Sequence, residues 1–131
     1  MRESRFASRV FLWAGIYGVA GLVPLYFMEE RLAVLVPPAL DHPEFFYGFL
    51  GVALAWQLVF LVISRDPTRY RPIMLCAVVE KIGYGAAVLW LIAERRTAFL
   101  MAGSGVVDLL LALLFLVAYV RTRATSSGLR L

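Results

Sequence analysis

One cysteine, one histidine and one lysine occur in the 131 residues, and each scarcity closes off a class of function. Cys76 alone excludes a disulfide within the chain and any CxxC redox or zinc pair. His42 alone excludes a site built from two or more histidines of this chain. With Lys81 the only lysine, the basic excess of 13 cationic over 9 anionic residues is almost wholly arginine. Charge itself is sparse, at 17% of the chain against 62% hydrophobic residues. Soluble domains carry roughly 25% charged and 45–50% apolar residues. Together with a mean hydropathy of +0.80, this makes a membrane protein the prior. The sequence has no internal repeat and no low-complexity segment. It also has no GxSxG, HExxH, P-loop or dinucleotide fingerprint, so no cofactor is expected.

What is present is a set of apolar runs of about the 20 residues that a membrane-spanning helix needs. They predict an all-α integral membrane four-helix bundle in a single domain over 1–131. The helices are expected at 10–28, 45–63, 72–93 and 98–120, with an outer loop at 29–44. Arg2, Arg5 and Arg9 before the first run imitate a signal peptide. Val10–Met28 is too long for that, however, and has no A-x-A-like site before Glu29, so it reads as a retained helix. Gly15, Gly18 and Gly21 are expected where this helix meets a neighbour, and Gly103–Ser104–Gly105 likewise reads as helix packing, since small residues allow close approach. Pro37, Pro38 and Pro43 forbid a long regular helix in the outer loop, whose apolar middle at 32–37 is too short to span. Phe45, Phe46, Tyr47 and Phe49 suit an aromatic belt at the start of the second helix, and Pro72 suits the first turn of the third.

Arginine sets the expected orientation. The N-terminus, the 65–71 turn and the C-terminal tail hold three arginines each, nine in all. The loops on the other side hold Arg31, Arg95 and Arg96. Under the positive-inside rule both termini are then cytoplasmic, and the expected location is the bacterial inner membrane. On such a protein the basic excess is a topology signal rather than a nucleic-acid footprint. The turn at 65–72 also has the charge to touch anionic lipid head groups, with Asp66 capping or pairing an arginine.

Polar residues inside the spans carry the functional question, because ionisable groups there are costly and often mark function. By helical rise, Tyr17, Gln57, Glu80 and Lys81 lie about 9–12 Å from the cytoplasmic ends and Asp108 about 18 Å, near the midplane. Every helix thus offers a polar group, and a lysine stem bridges the step from Lys81 to Asp108. Glu80 and Lys81 point about 100° apart, so they are expected to turn to different neighbours, one to Gln57 and one to Asp108. Two readings follow. In one, Lys81–Asp108 is a structural ion pair, with Glu80 held by Gln57 or a tyrosine. In the other, Glu80, Lys81, Asp108, Gln57, Tyr17 and Tyr84 line a pocket for a small apolar, amphipathic or cationic ligand, or Glu80 and Asp108 act as acid and base. An ion path is weaker, since little polar continues outward beyond Asp108. The outer loop adds Glu29, Glu30, Asp41, His42 and Glu44. That patch reads as a solvated loop in which Asp41 or His42 caps the second helix, in preference to a divalent-ion site.

Two resemblances accompany these readings. HPEFFYGF at 42–49, RDPTRYRP at 65–72 and the Glu80–Lys81 pair together resemble a widespread group of small bacterial four-span membrane proteins, which implies architecture and no activity. Pro24 with Glu29, Phe45–Phe46 and Gln57–Leu58 are similar to features of the EXPERA membrane domain of emopamil-binding and sterol-isomerase proteins. That likeness implies a cationic or sterol-like ligand reached past acidic residues, with Glu29 and Asp41, beside His42, at the mouth. The loop after the first helix is shorter here, and the later helices are not matched. The expected function is therefore binding of a small apolar or amphipathic ligand within the membrane, with membrane lipids as partners. The rival is a non-catalytic accessory or assembly subunit of a larger membrane complex.

Overall fold

The computed structural model describes residues 2–35 and 42–123, and every regular element in them is helical. Helix α1 runs Arg2–Leu22 and tightens into a 3₁₀ turn over Val23–Phe27, where Pro24 has no N–H to continue the α-helical ladder. A short helix α2 follows at Glu29–Leu35. Helix α3 spans Pro43–Arg65 and α4 spans Arg71–Ala93, each with a proline in its first turn. A 3₁₀ turn at Phe99–Met101 leads into α5, Ala102–Arg121. Four of these segments are long and apolar enough to cross a membrane: Ser4–Phe27, Pro43–Arg65, Arg71–Ala93 and Phe99–Arg121. The molecule is a multi-pass helical bundle of the membrane class.

Three expectations change. The first helix begins at Arg2 rather than residue 10, because three arginines are compatible with a helix that emerges from the apolar zone. The outer segment is not all loop. Glu29 and Glu30 occupy the favourable first turn of α2, which Met28 O begins by accepting the Leu32 N–H at 2.9 Å. Third, His42 stands at the N-cap of α3 without a capping side-chain bond, and its Nδ1 lies instead 3.2 Å from Glu44 Oε1 on the surface. Pro37, Pro38, Asp41 and the tail with Arg130 lie outside the described residues.

Helix α1 packs chiefly on α3 and α4 on α5; α1 also meets α5, while α3 and α4 touch only thinly. Glycine makes both strong seams. A Cβ on Gly15 would stand 2.7 Å from Leu61 Cδ2, and one on Gly18 would collide with the Gln57 side chain. On the other pair, a Cβ on Gly85 would stand 2.8 Å from the Gly105 carbonyl oxygen. Gly21 and Gly103 have open space there, so only part of each expected glycine set serves packing.

The half of the bundle nearer the described chain ends is solid. Phe11, Phe60 and Phe115 are fully buried, with Phe11 stacked on Phe115 at 4.2 Å and Phe60 edge-on to Phe115 at 4.9 Å. Met74, Ala77 and Ala118 close around them. Outward faces are apolar instead of polar. Trp13, Val79, Leu113 and Val120 are each more than half exposed, an inversion that lipid tolerates and water does not.

The described ends of the chain share one end of the bundle, tied by polar bonds. Ser8 Oγ donates to Ser64 O at 2.6 Å, and Arg71 Nε donates to Thr122 O at 2.6 Å. The Arg71 guanidinium also lies 3.8 Å above the Tyr119 ring, so it caps the last carbonyls of α5 and shields its own charge. Asp66 Oδ1 accepts the Arg69 N–H at 3.1 Å, which closes the turn between α3 and α4. At the opposite end α4 stops in a Schellman turn. Arg95, with φ 57°, takes the left-handed position, and the Arg96 N–H reaches Leu91 O at 2.8 Å.

Candidate functional site

Above the phenylalanine plug the helices part around a cavity of about 270 Å³. Its floor is polar. Regular helical rise brings Tyr17 on α1, Gln57 on α3, Glu80, Lys81 and Tyr84 on α4, and Asp108 on α5 to its wall. All six ligand-site residues expected from the sequence are thus brought together. The upper wall is apolar, formed by Leu22, Leu25, Phe49, Leu100 and Met101, and Leu100 at the rim is exposed.

Lys81 is the centre of the floor. Its Nζ donates to Asp108 Oδ1 at 3.3 Å and lies 3.5 Å from Glu80 Oε2. The expected ion pair is present, but Glu80 and Lys81 do not turn to separate neighbours. The lysine stem folds so that one ammonium serves two carboxylates, and it rests 5.3 Å from the centre of the Phe60 ring. Neither Gln57 nor a tyrosine holds Glu80. The Glu80 contact is long, and Glu80 Oε2 has no hydrogen-bond donor of its own. Two carboxylates to one ammonium leave the floor short of one cation when all three are ionised.

Gln57 is 2% exposed. Its Nε2 donates to Ala53 O one turn back at 2.9 Å, while Oε1 is buried with no partner. A buried polar atom left unpaired costs roughly 1–3 kcal/mol, so such atoms call for an explanation. On the far wall Ser104 Oγ donates to Met101 O at 2.8 Å, which leaves the Tyr84 hydroxyl to donate to Ser104 Oγ at 3.0 Å. Ser104 belongs to the wall, a role that the sequence reading assigned only to packing. It stands one helical turn before Asp108, and that spacing was the available signal.

Glu80 has a second outlook. It also lines a shallow groove between α3 and α4, with Trp56, Cys76 and Val79, on the lipid-facing side. The outer residues stand apart from the cavity. Glu29 Oε2 accepts the Tyr47 hydroxyl at 2.7 Å, tying α2 to α3, and His42 pairs with Glu44 in the open. Neither lines the cavity wall, and Asp41 lies outside the described residues. No three His, Cys, Asp or Glu residues among the described ones are placed to hold a metal ion. Compared with known proteins, the chain matches no family model, no curated protein and no solved structure.

Proposed function

We propose that the protein binds a small amphipathic molecule in this cavity, head down. The polar head carries an N–H or O–H donor or a cationic group, which meets Gln57 Oε1 and the carboxylates of Glu80 and Asp108. The apolar body lies against Leu22, Leu25, Phe49 and Met101. One observation carries the reading: the buried, unpartnered amide oxygen of Gln57 on the wall of a cavity with a surplus carboxylate. A purely structural ion pair explains Lys81 and Asp108 but leaves that oxygen and Glu80 unexplained. Native mass spectrometry of the gently solubilised protein tests the proposal. The wild type is expected to retain a small adduct, and Glu80→Gln, which keeps shape but drops charge, to lose it while melting near wild type. A bare wild-type protein would sink the proposal, and an adduct unchanged in Glu80→Gln would remove Glu80 from it.

The proposal includes location: the bacterial inner membrane, with both termini cytoplasmic and the cavity rim facing outward. Its support is the arginine asymmetry, nine against three in the sequence. A reporter fused after Leu131 is expected to read cytoplasm and one inserted at Pro38 the outer side. The reverse pattern would invert the cavity.

A further inference from the structure

A second recess lies outside the cavity. Between α1 and α5 runs a groove of about 450 Å³ on the lipid-facing surface, lined by Phe6, Val10, Trp13, Leu111 and Leu114, with Arg9 its one charged wall residue. From Phe6 to Tyr17, the two ends of its α1 wall, it extends about 16 Å by helical rise. That is about the depth of one leaflet, half of a hydrocarbon core of roughly 30 Å. Its basic end holds a second cation: the Arg121 guanidinium lies 4.7 Å from the centre of the Phe6 ring. Among the side chains described, which do not include that of Glu3, no carboxylate pairs with Arg9 or Arg121. An apolar channel one leaflet long, ending at two arginines, has the shape and charge of one lipid.

We infer that this groove seats an acyl chain of an anionic phospholipid, with the head-group phosphate held between Arg9 and Arg121. The apolar length selects a lipid over a free phosphate, which has nothing to put against Trp13 and Leu111. Charge selects an anionic head over a zwitterionic one. Juxtamembrane arginines contribute about fivefold each in affinity for anionic lipid, so about thirtyfold for the two. This site does not depend on the ligand proposed for the cavity, from which Tyr17 divides it.

Trp13 reports on the groove directly, being in its wall and 65% exposed. A Trp56→Phe/Trp90→Phe protein keeps Trp13 as its sole tryptophan. It is reconstituted in phosphatidylcholine vesicles carrying a small fraction of bromine-labelled lipid, either phosphatidylglycerol or phosphatidylcholine. Brominated phosphatidylglycerol is expected to quench Trp13 at a mole fraction at least tenfold lower than brominated phosphatidylcholine. Adding Arg9→Gln and Arg121→Gln should bring the two curves together. Adding Arg65→Gln and Arg69→Gln, equally basic residues on the α3–α4 turn, should leave them apart. Coincident curves in the parent protein would overturn the site. So would an equal collapse in the Arg65/Arg69 variant, which would mean that a diffuse surface field attracts the lipid.

Discussion

Lys81→Met is expected to lower unfolding stability by about 3–5 kcal/mol, the size measured when one partner of a buried charge cluster is removed. The geometry makes the loss asymmetric. Lys81 serves Asp108 at 3.3 Å and Glu80 at 3.5 Å, so its removal strands two carboxylates side by side. Asp108→Asn leaves the Lys81–Glu80 contact and should cost only about 1.5–3 kcal/mol, the range of a lost hydrogen bond to a charged group. The Lys81→Met/Asp108→Asn double variant recovers part of the lysine loss, because one carboxylate is still stranded. Only the triple variant with Glu80→Gln should approach the wild type. Thermal or denaturant unfolding in one detergent reads all four. Equal losses for Lys81→Met and Asp108→Asn would remove Glu80 from the cluster, and simple additivity through the triple variant would dissolve the cluster altogether.

The second large effect belongs to Gly85. Alanine has a higher helix propensity than glycine by about 1 kcal/mol, so Gly→Ala in an unconstrained helix stabilises. At Gly85 the new methyl would lie 2.8 Å from the Gly105 carbonyl oxygen and 2.8 Å from Leu109 Cγ. The leucine can turn aside, but the carbonyl belongs to the α5 backbone and moves only if the two helices separate. Overpacking of this kind costs roughly 1–3 kcal/mol, enough to reverse the propensity gain. Gly85→Ala should therefore melt below the wild type, while Gly21→Ala and Gly103→Ala, with nothing within 4 Å, should melt at or above it. Gly18→Ala should fall between, since the obstacle there is the Gln57 side chain, which rotates at the expense of the Ala53 bond. If Gly85→Ala were as stable as Gly21→Ala, the α4–α5 seam would not depend on close backbone approach.

The four spans were legible because lipid demands a long apolar run, and such a run is visible residue by residue. The polar floor was legible for a related reason. A straight helix rises by a constant step, so Gln57, Glu80 and Asp108 can be placed at depth before any contact is known. Rotation about the helix axis is another matter. It decided that Gly15 and Gly18 meet α3 while Gly21 faces open space, and a spacing of three residues does not distinguish these. The flexible lysine stem hid the shared ammonium, since about 100° between neighbours at the backbone says little about atoms five bonds out. Gly85 passed unnoticed because its partner, the Gly105 carbonyl, lies on another helix. Helix α2 did have a signal in the sequence, two glutamates at the first turn of an apolar segment, outweighed by the prolines that follow.

The three clustered phenylalanines below Lys81 give the bundle a closed side and an open side. Phe11, Phe60 and Phe115 are fully buried against one another, whereas the cavity above them reaches the exposed rim at Leu100. The carboxylates of Glu80 and Asp108 therefore face the rim and are backed by the aromatic plug on the other side. The charged trio is open toward the rim and closed off by the phenylalanines on the other side, so the ligand proposed for the cavity would enter and leave past Leu100.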